Sequence, residues 1–155
     1  MAAARPYIAI VGPGEASAAE LSDAEAIGRG LGEAGAVLLT GGLGGVMAAA
    51  CRGAAGAGGR TVALLPGSDR GAANEWVEVA IATGLGELRN GLIVRAADAV
   101  VAVGGAYGTL SEVALALKAQ VPVVGLRTWD IGGIRGVELA ADAVTAALEA
   151  ARSRP

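Results

Sequence analysis

The hydrophobic positions of this chain fall into short runs rich in β-branched residues, which alternate with longer segments rich in alanine. Several of the short runs are apolar at nearly every position, as in strands of a parallel sheet whose two faces are both covered by helices. We predict strands at 7–11, 37–40, 61–65, 77–81, 99–103 and 121–126. Their alternation with helices predicts an α/β fold, a doubly wound, Rossmann-like parallel sheet of six to seven strands with helices on both faces and right-handed crossovers.

Five helices are predicted around these strands. Ser22-Asp23-Ala24-Glu25 has the spacing of a capping box, so we place the start of the first helix there, and Gly35 is a suitable stop. The other helices are predicted at about 46–55, 87–97, 110–120 and 139–151. The chain has 155 residues, and we expect 1–155 to form a single domain around one core.

Composition excludes several kinds of chemistry. The chain has no histidine, so it cannot use a Ser-His-Asp or Cys-His mechanism, and its single cysteine, Cys51, cannot form an internal disulfide or a cysteine-cluster zinc site. We predict no metal site. The net charge of −3 argues against a nucleic-acid partner. The apolar run after Arg5 is too short for a signal peptide, and no stretch is long enough to span a membrane, so we expect a cytoplasmic protein without a membrane partner.

Three glycine-rich segments follow predicted strands. They are Gly12-Pro13-Gly14, 41–45 and 104–109. The loops after parallel strands gather at one edge of the sheet, where ligands bind, and two of these segments lead directly into helix N-termini that attract phosphate. The alternative is that they are only tight turns between strands and helices. Three such loops at one edge favour a phosphate-bearing ligand, although neither a P-loop nor an ordinary dinucleotide-binding motif is present.

Two charged residues stand at the predicted ligand edge. Arg89 lies in the first turn of the third helix, where a positive charge opposes the helix dipole and therefore favours an anionic partner nearby. The alternative is a solvated arginine whose stem packs on the sheet edge. Glu112 ends the tetrad Thr109-Leu110-Ser111-Glu112, which is also a capping box, so both a structural and a catalytic role are open.

Together these segments resemble a known family. The residues 41–47, Arg89-Asn90, Asp98 and 105–112 resemble the motifs of the LOG-like superfamily, whose members are often labelled lysine decarboxylase-like. In its cytokinin-activating phosphoribohydrolases the fingerprint is P-G-G-x-G-T-x-x-E, preceded by an arginine. Here Gly104-Gly105-Ala106 replaces P-G-G. This departure, with Asn74 and the segment 83–86, is more similar to the molybdenum cofactor carrier protein subgroup.

The resemblance implies a role for each matching residue. Thr109 and the backbone of 105–108 would hold a phosphate, Glu112 would meet a ribose hydroxyl or activate water, and Arg89 would orient the ligand or stabilise charge. In the hydrolases this Arg–Glu pair is catalytic and cleaves the N-glycosidic bond of nucleoside 5′-monophosphates. In the carriers the same edge binds the molybdenum cofactor, molybdopterin, without turnover. From the glycine-rich loops and the resemblance together, the predicted ligand-binding residues are Gly12, Gly14, Gly41, Gly42, Gly44, Gly45, Met47, Asn90, Gly104, Gly105, Ala106, Tyr107, Gly108 and Thr109.

Three functions therefore stay open. The first is binding of a phosphorylated nucleotide-like or pterin ligand, the second is a phosphoribohydrolase using Arg89 and Glu112, and the third is a sensor or structural protein with a vestigial pocket. Pyridoxal-dependent lysine decarboxylation is not expected, because the only lysine, Lys118, falls far from the ligand edge. Poorly charged helix faces around 92–96 and 113–117 predict a homodimer or homotetramer.

Overall fold

The computed structural model describes residues 4–155, which form one sheet and five helices. The strands are β1 (Tyr7–Val11), β2 (Val37–Thr40), β3 (Arg60–Leu65), β4 (Val79–Ala82), β5 (Ala99–Val103), β6 (Val123–Leu126) and β7 (Ile134–Gly136). The helices are α1 (Ala18–Glu33), α2 (Val46–Gly56), α3 (Arg89–Ala96), α4 (Tyr107–Lys118) and α5 (Ala140–Arg152). In this part of the chain no helix is both long and apolar enough to cross a membrane.

All seven strands are parallel, and β1 lies at the centre of the sheet. The order is β4-β3-β2-β1-β5-β6-β7, so the chain moves outward on one side of β1 and then crosses to β5 on the other. The strand order reverses between β1 and β5, and open α/β sheets bind ligands at the carboxyl ends of the strands at such a point. The predicted doubly wound α/β fold is confirmed.

Apolar residues of β1 alternate between two cores, one on each face of the sheet. Ile8 and Ile10 pack with α1, α2 and α5, whereas Ala9 and Val11 pack with α3 and α4, and all four are buried. Burial on both faces explains why the strand has no polar position. The sheet thereby holds the starts of α2, α3 and α4 at fixed places along its ligand edge.

Glycine brings α1 and α2 into close contact. A Cβ at Gly28 would lie 2.0 Å from Ala50 O, and one at Gly53 would lie 2.0 Å from Glu25 O. Backbone therefore packs on backbone at these two positions, and any side chain there would force the helices apart. The high glycine content of the chain has a structural use here, separate from its use in the loops.

The structure corrects the predicted starts of α1 and β4, and β6 likewise begins two residues later than predicted, at Val123. Ser17, not Ser22, caps α1: the Glu20 N–H donates to Ser17 Oγ at 3.2 Å, and Ser17 N donates to Glu20 Oε2 at 2.8 Å. Both tetrads fit a capping box, and the earlier one gives a longer helix through Ala18 and Ala19, which favour helix formation. The fourth strand begins two residues later than predicted, at Val79, because Glu78 N donates to the Thr61 side chain at 2.8 Å.

Candidate functional site

The first two glycine-rich loops pack backbone against backbone at the ligand edge. Val46 N donates to Pro13 O at 3.0 Å, and a Cβ at Gly45 would lie 2.3 Å from the same oxygen. The first loop also lies close to the end of β5, since a Cβ at Gly12 would lie 2.5 Å from Val103 O. Gly45 also has a φ of +62°. Glycine is therefore required at 12 and 45 to bring the ends of β1, β2 and β5 together.

Asn74 fixes the second loop from a distant part of the chain. Its backbone N–H donates to Gly42 O at 2.8 Å, and its side-chain amide donates to Leu43 O at 3.0 Å. Gly42 has a φ of +80°, a backbone conformation that glycine adopts without strain. From the sequence, Asn74 is notable only as part of the family resemblance. Its role as the support of this loop depends on a contact across 31 or 32 positions.

The third loop leads into α4 three residues earlier than predicted. The helix begins at Tyr107, its N-cap residue is Ala106, and no side chain caps it. The predicted capping box from Thr109 to Glu112 is therefore wrong, because both residues already lie inside the helix. Thr109 is instead 2% exposed, and its Oγ1 has no hydrogen-bond partner among residues 4–155. The start of α4 thus combines uncapped backbone N–H groups with a buried free hydroxyl.

Arg89 and Glu112 form a buried pair that joins the start of α3 to α4. Their exposed fractions are only 8% and 7%, and Arg89 Nη1 lies 4.0 Å from Glu112 Oε1. Arg89 Nη2 also lies 3.5 Å from Gly41 O, and a Cβ at Gly41 would lie 2.7 Å from that nitrogen. The guanidinium therefore occupies space that glycine leaves free. The alternative of a solvated arginine is wrong.

Burial controls the charge state of this pair. Burial raises the pKa of Glu112 to about 7, and the nearby Arg89 only partly opposes that rise. Burial also lowers the pKa of Arg89, against the opposing effect of Glu112. Arg89 Nε has no hydrogen-bond partner within residues 4–155. The site therefore holds a carboxyl group that exchanges its proton near neutral pH and a cation with a free donor.

Asn90 extends the pair into a network that reaches the third loop. Arg89 Nη1 donates to Asn90 Oδ1, and Asn90 Nδ2 donates to Ser111 Oγ at 3.1 Å. Ser111 Oγ in turn donates to Gly108 O at 2.7 Å. Asn90 is only 5% exposed, so its side-chain amide is directed to these partners within the protein and not to solvent. The network connects Arg89 to the first turn of α4.

The remaining predicted residues lie around this centre. Met47 borders Gly41, whose Cβ would lie 2.9 Å from Met47 Sδ. Gly104, with a φ of +75°, receives the chain from β5 and donates its N–H to Leu126 O at 3.1 Å. Ala106 is half-buried, and five further predicted residues are exposed at the loop surface: Gly14, Gly44, Gly105, Tyr107 and Gly108.

A separate cleft of about 430 Å³ lies beside the first two loops. Its lining includes Gly14, Gly45, Arg52 and Trp76, and it does not include Arg89 or Glu112. Within residues 4–155 no group of three or more acidic or cysteine side chains is placed to hold a metal ion. The buried pair and the start of α4 are therefore the chemically distinctive part of the ligand edge.

A family model and a related protein both match this chain over most of its length. A family model described as the SLOG cluster4 family matches residues 5–152. A curated relative from Archaeoglobus fulgidus, an uncharacterized protein, is 42% identical over 120 residues, which are 77% of this chain and 79% of the relative.

Solved structures agree with these matches. The molybdenum cofactor binding protein from the phototrophic bacterium Rippkaea orientalis has a TM-score of 0.90 and 36% identity, over 94% of this chain and 97% of that one. The molybdenum cofactor carrier protein of Chlamydomonas reinhardtii has a TM-score of 0.87 and 35% identity, over 97% and 100%. The resemblance to the LOG-like superfamily and its carrier subgroup is confirmed. The chain belongs to the SLOG cluster4 family.

Proposed function

We propose that this protein binds a pterin phosphate such as the molybdenum cofactor, or a similar nucleotide-like phosphate, in the glycine-rich loops at the start of α4. The observation that carries the proposal is the Thr109 hydroxyl, which is buried without a partner among residues 4–155 at an uncapped helix N-terminus. A buried polar group left without a hydrogen bond costs about 1–3 kcal/mol. A phosphate that accepts from this hydroxyl would offset that cost.

The neighbouring groups suit a phosphate for the same reason. Arg89 is a buried cation whose Nε also has no partner in residues 4–155, and Asn90 and Ser111 connect it to the first turn of α4. Gly105 and Gly108 leave the backbone N–H groups of the loop accessible to an anion. In this proposal Thr109, Arg89 and the loop backbone hold the phosphate, and the rest of the ligand is carried as cargo.

Thr109→Val tests this assignment, because it removes the hydroxyl and keeps the shape of the side chain. We expect the free energy of unfolding to rise by about 1 kcal/mol, since an unpaired buried hydroxyl is lost. We expect the affinity for 6-hydroxymethylpterin phosphate to fall about tenfold, since a hydrogen bond to an anion is worth about 1.5 kcal/mol or more. Urea unfolding and titration calorimetry measure the two effects.

Thr128→Val is the matched control. Thr128 Oγ1 is also buried without a partner in residues 4–155, but Thr128 follows β6 and is not part of the proposed phosphate site. We expect a similar gain in stability from this variant and an unchanged affinity. Equal affinities of the wild type and Thr109→Val for the pterin phosphate would contradict the assignment of Thr109.

A phosphoribohydrolase is the second candidate, and the titration of Glu112 favours it. A general acid or base works best when its pKa is near the working pH, and the pKa of Glu112 is about 7. Incubation of the protein with AMP, followed by chromatography for free adenine, separates the two functions. Released adenine supports the hydrolase, whereas a pterin in the mass spectrum of the native purified protein, without adenine release, supports the carrier.

We further propose that the protein self-associates through the face formed by α3 and the adjoining edge of the sheet. Leu88 and Leu92 are 76% and 43% exposed there. Val79 and Ile81 of β4 are each 45% exposed and pair in register with Val62 and Leu64, which pack into the core beneath α3 and α4. The apolar surface thus continues from the helix onto an uncovered part of the sheet.

Light scattering at micromolar concentration tests self-association. We expect the mass of a dimer or tetramer for the wild type and a shift toward the monomer for Leu92→Glu, because the variant places a charge in the apolar face. Leu139→Glu is the control, since Leu139 is 63% exposed just before α5. A monomeric wild type, or an equal response of the two variants, would contradict this interface.

A further inference from the structure

Two aromatic side chains meet beside the third loop. The rings of Tyr107 and Trp129 are stacked, with centroids 6.3 Å apart and an interplanar angle of 24°. Tyr107 is the first residue of α4, and Trp129 comes from the segment between β6 and β7. The sequence pattern gave no reason to pair them, and Trp129 has no place in the motifs described above.

Trp129 is fixed to the loop itself. Its indole N–H donates to Ala106 O at 3.3 Å, and a Cβ at Gly105 would lie 3.4 Å from its Nε1. The indole therefore contacts both the loop backbone and the Tyr107 ring. Trp129 is half-buried by these contacts.

Tyr107, in contrast, remains 84% exposed. It is the first residue of α4, so its exposed ring lies at the same N-terminal end of the helix at which the proposed phosphate would bind. Flat heterocycles stack on aromatic side chains regardless of the hydrogen-bond donors and acceptors at the edges of the heterocycle, because every such ring presents a π-face. A pterin and a purine share this property.

We propose that Tyr107 is a specificity residue on which the flat ring of the ligand stacks, and that Trp129 is the positioning residue that holds Tyr107 and the loop. This inference rests on the proposed phosphate site. It adds that the protein selects aromatic heterocyclic phosphates over phosphates without a ring. Tyr107 and Trp129 together form the aromatic face.

Two matched pairs of probes test the aromatic face by calorimetry. AMP is compared with ribose 5-phosphate, and 6-hydroxymethylpterin phosphate is compared with methyl phosphate. Stacking on one aromatic ring corresponds to about 5- to 150-fold in affinity. We therefore expect Tyr107→Ala to weaken the ring-bearing probe about tenfold or more and to change the ringless one less than about twofold, whereas Tyr107→Phe retains the wild-type preference.

Trp76→Phe supplies both a control and an optical signal. Trp76 lies outside the aromatic face, so its loss should leave all four affinities unchanged, and Trp129 becomes the only tryptophan of the chain. In this variant we expect the ring-bearing probes to change the tryptophan emission and the ringless probes to leave it nearly constant. Trp129→Phe should keep phosphate binding and reduce the preference for ring-bearing probes, because the hydrogen bond to Ala106 O is lost.

The possible results distinguish a failure of the aromatic face from a failure of the proposed phosphate site. A wild type that binds neither member of either pair overturns the phosphate site, and the aromatic face with it. A wild type that binds both members equally, or a Tyr107→Ala variant that weakens both equally, overturns only the aromatic face. Whichever pair shows the larger ring preference identifies the heterocycle as pterin or purine.

Discussion

Arg89→Met should reduce the affinity for 6-hydroxymethylpterin phosphate about 30-fold or more, because truncation of a buried charged partner typically costs about 2–5 kcal/mol of binding free energy. The stability of the protein should change much less. Arg89 is itself buried, and Glu112, left alone, can take up a proton instead of staying charged. Loss of Arg89 removes the positive charge that lowers the pKa of Glu112, so this pKa should rise above 7.

The pH dependence of this variant is therefore diagnostic. We expect the free energy of unfolding to fall by about 1 kcal/mol at pH 8, where Glu112 of the wild type is ionised, and to change little at pH 5.5, where it is already protonated. Urea unfolding at the two pH values measures this difference. Arg95→Met is the control, since Arg95 is an exposed arginine in the last turn of α3. An unchanged affinity with reduced stability would make Arg89 a purely structural residue.

Glu112→Gln should stabilise the protein at pH 8 and have almost no effect at pH 4.5. The pKa of Glu112 is raised from 4.5 to about 7 in the folded protein, so the folded state binds the proton more tightly than the unfolded chain. Stability of the wild type is consequently lost as the pH rises from about 4.5 to 7, by an amount on the order of 3 kcal/mol. Glutamine carries no charge, so the variant avoids this loss.

Unfolding curves of both proteins between pH 4.5 and 8 measure the effect. Glu87→Gln is a suitable control, because Glu87 is exposed just before α3 and its replacement should change stability by less than about 0.5 kcal/mol. The same variant separates the two candidate functions. Glu112→Gln should retain phosphate binding in a carrier and should abolish release of adenine from AMP in a hydrolase. A constant stability difference across the pH range would contradict the raised pKa.

Above pH 7 the ionised Glu112 should also oppose an anionic ligand. A bound phosphate favours the protonated carboxyl group, so binding takes up a proton when the pH is near the pKa of Glu112. The affinity of the wild type should then decline relative to that of Glu112→Gln as the pH rises past about 7. Comparison of the two proteins cancels the titration of the ligand phosphate itself.

The fold class follows from the sequence alone, and the same patterns predict the edge of the sheet at which we propose that a ligand binds. Fully apolar strands such as β1 and β5 require cover on both faces, and glycine-rich segments after strands gather at one edge of any parallel sheet. These inferences depend on local periodicity and on the geometry common to all parallel sheets. Arg89 could be placed at the start of a helix for the same reason.

The state of the side chains at that edge depends on contacts that exist only in the folded protein. The tetrads at Ser17 and Ser22 both satisfy the local rule for a capping box, and Thr109–Glu112 satisfies it without forming one. The burial of Arg89 against Glu112 and the contact of Trp129 with the loop join segments far apart in sequence, and the burial of the Thr109 hydroxyl depends on the same packing. No local pattern encodes such contacts, because they arise when the sheet brings separate loops together and removes water from between them.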